Sequence, residues 1–272
     1  MDFDRDMIRL ISRRTGLGLN YISKDHRISM LLGALVEWDD VEFAIKGGTA
    51  INRLYLGKDQ RFSEDIDADL FGPGRVKDRL GLIRKKMDGI EGFIISGPRM
   101  LYSTARFDAF YNNEFDQKDR VMLDFNTGKD RPFSSSKVER KVVLSTLTPT
   151  DPSLVPVYSF EDLIAQKLLA ASNRLEGKDI YDIKFSMEKD VDKDRIFKAL
   201  SMQLELMDDE LGVNEFMENL LTRRDQFRGN WIDIMKRTNH YILKDRRPEW
   251  RSFIDTTFDL LELKLIQDNK KR

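Results

Sequence analysis

The sequence predicts an α/β protein: a small mixed sheet with helices against it, followed by a helical part. Three observations lead there. Residues 41–45 (VEFAI) form an apolar run that Gly47 and Gly48 break, and the residues after them recur at helical spacing. Strand-like alternation then returns several times between Asp65 and Leu147. Beyond the proline-punctuated run 149–156 it stops, and apolar residues recur at helical spacing instead. That run is the expected linker, so a first domain is expected over residues 1–148 and a mainly helical one over 149–272.

Taken in order, Asp4, Met7, Ile8, Leu10 and Ile11 predict a short helix over 4–14, ended by Gly16 and Gly18. A second helix, capped by Asn20, runs through Ile28, Leu31, Leu32 and Leu35, which make one apolar face. A third opens near Thr49. The chain returns as a strand from Asp65 to Leu70, and FGPG (71–74) turns it. Residues 77–87 predict a helix, and Arg75, Lys77, Arg79, Arg84, Lys85 and Lys86 make it the clearest local positive patch. Such a patch is ordinarily a solvated face; nucleotide or nucleic-acid contact is the functional alternative. Strands are expected over 92–96, 100–111, 120–126 and 142–147. Ser159, with Asp162 three positions on, is a cap signal opening a helix over 160–174. KDIYDIKF (178–185) opens another, and helices follow over 196–206, 213–221, 231–243 and 250–266.

Composition narrows the chemistry. A chain with 40% hydrophobic and 34% charged residues can fold around a core and is not of the disordered class. Cysteine is absent, which excludes a disulfide framework, a thiolate metal site and a thiol nucleophile, and agrees with a cytoplasmic location. The opening MDFDRDMIRL lacks a signal-peptide core, and no apolar run is long enough to cross a bilayer. With 46 basic against 47 acidic residues there is no global basic footprint, although a balanced total can hide a local basic groove. His26 and His240 stand far apart without ligand spacing, which argues against a zinc site and a histidine-centred hydrolase. G-x-x-x-x-G-K-[ST] is absent, which disfavours a P-loop NTPase.

The candidate chemistry lies in residues 45–70 (IKGGTAINRLYLGKDQRFSEDIDADL). A glycine turn feeding a helix presents backbone N–H groups that suit a phosphate. Period-2 alternation points Asp65 and Asp67 to one face of the following strand, where two carboxylates repel unless a cation lies between them. Mg²⁺ takes oxygen ligands, commonly one or two carboxylates completed by water and substrate phosphate. An ordinary turn beside a solvated acidic strand end is the plain alternative. Asp124 stands in an otherwise apolar strand (RVMLDFN), where a carboxylate needs a metal or a partner such as Arg106 or Arg120. Lys167 lies on the apolar face of its helix, so it must snorkel, pair with an acid or reach into a site. Asp179 and Asp182 share a face of the next helix, and Asp179 could equally cap it or pair with Lys178.

GGT, a helix and R-F-S-x-D-I-D together resemble the polymerase-β-like nucleotidyltransferase superfamily. The fuller pattern, KGGTA followed by RFSEDIDADL, is most similar to the AbiEii/AbiGii-type toxins, the nucleotidyltransferase half of abortive-infection toxin–antitoxin pairs. With gaps the resemblance runs from about Lys46 to Asp182, and the C-terminal third carries no matching motif. It implies a polymerase-β-like core with a helical C-terminal domain. It implies Asp65, Asp67 and Asp124 as metal ligands, with Asp124 also acting as, or assisting, the base. Gly47, Gly48, Thr49 and Ser63 would hold the nucleotide, Lys167 would contact its phosphates, and Asp182 would be the required acid of a K/R-D-x-x-D element. Lys178 stands where many relatives have arginine, which keeps the charge and loses the fork.

The expected function is therefore Mg²⁺- or Mn²⁺-dependent transfer of NMP from an NTP to an acceptor, an RNA, tRNA or protein hydroxyl, with release of pyrophosphate. The resemblance admits a cognate antitoxin as partner and gives no reason to expect a membrane. A kinase-like phosphotransferase and a non-catalytic nucleotide- or partner-binding module are the alternatives.

Overall fold

A computed structural model describes residues 3–36, 38, 41–128, 137–207 and 211–266. The chain divides into two compact units: the first runs to Tyr158, and the second takes the residues from Ser159 onward together with Lys137.

The first unit is built on a seven-stranded mixed sheet. Its strands are β1 (Phe43–Lys46), β2 (Asp65–Leu70), β3 (Ile94–Leu101), β4 (Thr104–Asn112), β5 (Lys118–Asn126), β6 (Glu139–Val143) and β7 (Ser153–Val157). They lie in the order β3-β4-β5-β2-β1-β7-β6. The β2–β5 and β1–β7 pairs are parallel and the others antiparallel. One face is apolar: Ile66, Ala68, Leu123, Phe125, Phe107 and Ala105 are all buried there. Helices α1 (Arg5–Thr15), α2 (Leu19–Leu35) and α4 (Val76–Asp88) accompany the sheet, α2 against β5 and β7, α4 against β3. Each large apolar side chain so buried contributes on the order of 1.5–3 kcal/mol. The short helix α3 (Gly47–Ile51) continues as a π-helical turn over Asn52–Leu56. Arg53 on that turn donates to Asp25 of α2 at 2.7 Å, and Thr148 donates to the other oxygen of Asp25 at 2.8 Å. A buried carboxylate saturated in this way ties three separate segments together.

Several elements differ from the sequence expectation. The run 149–156 is not a linker: β7 occupies its second half, and the division falls between Tyr158 and Ser159 instead of at 148/149. Residues 100–111 are not one strand, because the chain reverses at Tyr102, whose φ is 54°. The strand expected over 142–147 lies at Glu139–Val143. Helix α2 begins at Leu19 behind Gly18 and not behind an Asn20 cap, and α3 opens at Gly47, not Thr49.

The second unit is helical: α5 (Phe160–Asn173), α6 (Gly177–Met187), α7 (Lys193–Leu206), α8 (Val213–Thr222), α9 (Arg224–Gly229), α10 (Trp231–Thr238) and α11 (Trp250–Leu261). Ser159 caps α5 as expected, accepting from the Asp162 N–H at 3.2 Å and donating to its carboxylate at 2.6 Å. Helix α9 was not anticipated, and the helix expected over 231–243 gives way to a 3₁₀ turn at Asn239–Tyr241. Leu168, Ile180, Tyr181, Leu200, Trp250 and Phe258 are among its buried core. Among the described residues no helix is long and apolar enough to cross a membrane.

Candidate active site

The glycine turn and the acid strand form one structure. Gly47 has φ 69°, a left-handed value that L side chains rarely adopt, and a Cβ there would overlap the Asp67 carboxylate. A Cβ on Gly48 would meet Ser63 Oγ at 2.8 Å and Arg61 Nη2 at 2.9 Å. Asn52 donates to the Gly48 carbonyl at 3.0 Å and accepts from the Arg61 N–H at 2.8 Å. Thr49 Oγ1 donates to the carbonyl of Asp65. Its hydroxyl proton therefore holds the turn to the strand. Ser63 and Arg61 are buried beneath.

Asp65 and Asp67 are half-buried, on the face of the sheet opposite Ile66 and Ala68. The β2–β5 register sets Asp67 beside Asp124, and the β1–β2 register sets it beside Lys46. Asp69, the next residue on that face, was missed from the sequence. It is fully buried, accepting from Lys46 Nζ at 2.5 Å and from the Tyr158 hydroxyl at 2.6 Å. The strict D-x-D-x-D alternation was the available signal, but it named neither partner.

Asp124 has the arginine partner. Arg106 lies directly across β4–β5 and meets it fork to fork, Nε to Oδ1 at 2.7 Å and Nη2 to Oδ2 at 2.5 Å. The hydrogen bond to Asp124, with further help from Asp108 and Asp65, holds the guanidinium proton more firmly than usual against the effect of burial. Among the described residues no three acids or histidines are gathered as a metal cluster. The donor set of Asp65 and Asp67 still fits Mg²⁺ or Mn²⁺, which need only one or two protein carboxylates. With no Cβ at Gly47, no side chain of that residue stands against the Asp67 carboxylate.

In the second unit Lys167 does not snorkel. Its ammonium is buried at 3.0 Å from Asp179 Oδ1 and 2.8 Å from Asp182 Oδ2, and both acids are 0% exposed. Arg174 completes Asp179 with two bonds of 2.7 and 3.0 Å. Burial by itself would raise the Asp179 carboxyl, but Lys167 and Arg174 outweigh it and bring it down to about 2. Lys178 lies over the Tyr241 ring at 4.4 Å, so Asp179 pairs with Lys167 and Arg174 and not with Lys178. His26 stacks on Phe3 at 4.0 Å, and His240 packs on Tyr241 at 3.9 Å.

A mixed sheet whose first strand runs into a Gly-Gly turn and whose second carries paired aspartates against that turn defines a nucleotidyltransferase. Residues 32–268 match the family model of the nucleotidyl transferase AbiEii toxin, type IV toxin–antitoxin system, and the chain belongs to that family. The resemblance drawn from the motifs is thereby borne out. Solved structures share the fold. One is MenT4, a nucleotidyltransferase toxin from Mycobacterium tuberculosis, with a TM-score of 0.66 and 17% identity, covering 97% of this chain and 92% of that one. Another is JHP933 from Helicobacter pylori, with a TM-score of 0.57 and 17% identity, covering 94% and 97%. Comparison with curated proteins by sequence gives no match.

Proposed function

We propose that this nucleotidyltransferase uses Mg²⁺ or Mn²⁺ to move NMP from an NTP to an acceptor hydroxyl of RNA, tRNA or protein. In this reading it is the toxin of a toxin–antitoxin pair, working in the cytoplasm where NTPs are made. The observation that carries the reading is the contact of Gly47 with Asp67, which makes the phosphate turn and the acid pair a single site. Asp65 and Asp67 would hold the metal, which supplies positive charge to the reacting phosphate and the departing pyrophosphate. The turn at Gly47, Gly48 and Thr49 would bind phosphate oxygens through backbone N–H groups, with Ser63 behind it. The acceptor hydroxyl attacks the α-phosphorus in line, and Asp124 completes the carboxylate set. Lys167 and Asp182 enter through the resemblance alone, as a phosphate-contacting lysine and its acid. The type IV description of the family supports a cognate antitoxin.

Incubation with each labelled NTP, Mg²⁺ and either total RNA or total protein tests this. Label on an acceptor with equal pyrophosphate release is expected. NDP as product, or no labelled acceptor with any of the four NTPs, would overturn it.

A further inference from the structure

Asp124 has two neighbours on the polar face of the sheet. Register places Arg106 on one side and Asp67 on the other, each one strand away, or about 4.8 Å. The carboxylate has gone to the arginine with both oxygens. This explains why Asp65, Asp67 and Asp124 lie on one face without forming a three-acid cluster.

The Asp124 carboxylate is more open than those of three other ion-paired aspartates. Asp69, Asp179 and Asp182 have side chains fully enclosed, whereas Arg106 and Asp124 keep 25% and 16% of theirs exposed. Arg106 and Asp124 are therefore open to solvent. A guanidinium does not deprotonate near neutral pH, so only a competing charge can part them. A divalent cation competes for the carboxylate. A phosphate competes for the guanidinium, because the same fork fits either anion.

We propose that Arg106 is a positioning residue that holds Asp124 in reserve and exchanges it for nucleotide phosphate, so that the three-carboxylate set closes only when metal and NTP arrive together. The proposal rests on the reading of Asp65 and Asp67 as metal ligands. Each ligand then frees the group the other needs, and the two bind with positive coupling.

Mn²⁺ binding to the full chain, measured by calorimetry without nucleotide, tests the first half. Arg106→Gln is expected to bind Mn²⁺ about tenfold more tightly than the natural chain. The same substitution made in Asp124→Asn protein is expected to give no gain. An equal gain in both backgrounds means that Arg106 acts only by charge repulsion and overturns the proposal, as does no gain in either. Should Arg106→Gln fail to fold, Arg106→Lys keeps the charge and loses the fork; a smaller gain is expected, and none overturns the proposal.

The second half is read from a nonhydrolysable NTP analogue at saturating Mn²⁺. Arg106→Gln should bind it about tenfold more weakly, and unchanged affinity overturns the exchange. The doubly substituted Asp65→Asn, Asp67→Asn chain separates the two levels. If it keeps Mn²⁺ and analogue binding, the metal reading and this proposal fall together. If it loses binding while Arg106→Gln shows no gain, only this proposal falls.

Discussion

The backbone of Gly47 lies directly against the carboxylate of Asp67, with no room between them for a Cβ. The residue that bends the chain out of β1 and an acid on the polar face of β2 are therefore placed by one contact.

Gly47→Ala is expected to fail twice over. A left-handed φ costs an L residue about 1–2 kcal/mol, and the overlap with Asp67 adds about 1–3 kcal/mol of overpacking. Urea unfolding should show both losses, and NTP binding should vanish. Gly57 is the control: it also has positive φ, 55°, but nothing lies within 4 Å of a Cβ there. Gly57→Ala should lose the backbone term alone and keep NTP binding. Equal behaviour of the two variants would dismiss the contact as the cause.

Asp65→Asn and Asp67→Asn are each expected to lower transfer at least about a hundredfold, the scale of removing one preorganised electrostatic group. Stability should hold or rise slightly, since one of two repelling charges is gone. In the natural chain, NTP with Mg²⁺ at 100 times its Kd should add about 2.7 kcal/mol of stability. That gain should disappear in the double variant. A lowered melting temperature with activity retained would make these residues structural.

Lys167→Met leaves Asp182 buried without its ammonium, and should cost about 3–5 kcal/mol. Adding Asp182→Asn should restore most of it. If Lys167 also serves the nucleotide, the restored double variant will still bind NTP poorly; normal binding would remove Lys167 from the site. The pair also sets an acid limit. The Asp179 carboxyl is at about 2 in the fold against 3.8 free, so its contribution is full above about 4. It fades as pH falls from there toward 2, by on the order of 2 kcal/mol in all. Unfolding free energy measured down this range should fall in the natural chain and fall less steeply in Lys167→Met.

What could be read without the structure was local. A glycine pair after an apolar run, two aspartates at a spacing of two, and a serine three positions before an acid each act through neighbours in sequence. Those signals located the turn, the acid face of β2 and the start of α5. They misread residues 149–156 and 100–111. There the outcome depended on β1 and β6 accepting a further strand, and on a reversal at Tyr102, where no glycine, proline or asparagine marks a turn.

The sequence alone located the glycine turn at Gly47 and the acids at Asp65 and Asp67, because short-range backbone chemistry sets both, and the motif they make resembles that of the nucleotidyltransferases. The partners of the charges come from the fold: Arg106 for Asp124, Lys46 and Tyr158 for Asp69, and two buried aspartates for Lys167. Periodicity tells which face a side chain takes. Which strand or helix stands beside it follows from strand order and packing between segments far apart in the chain, and a carboxylate's charge state and bonds follow from that neighbour.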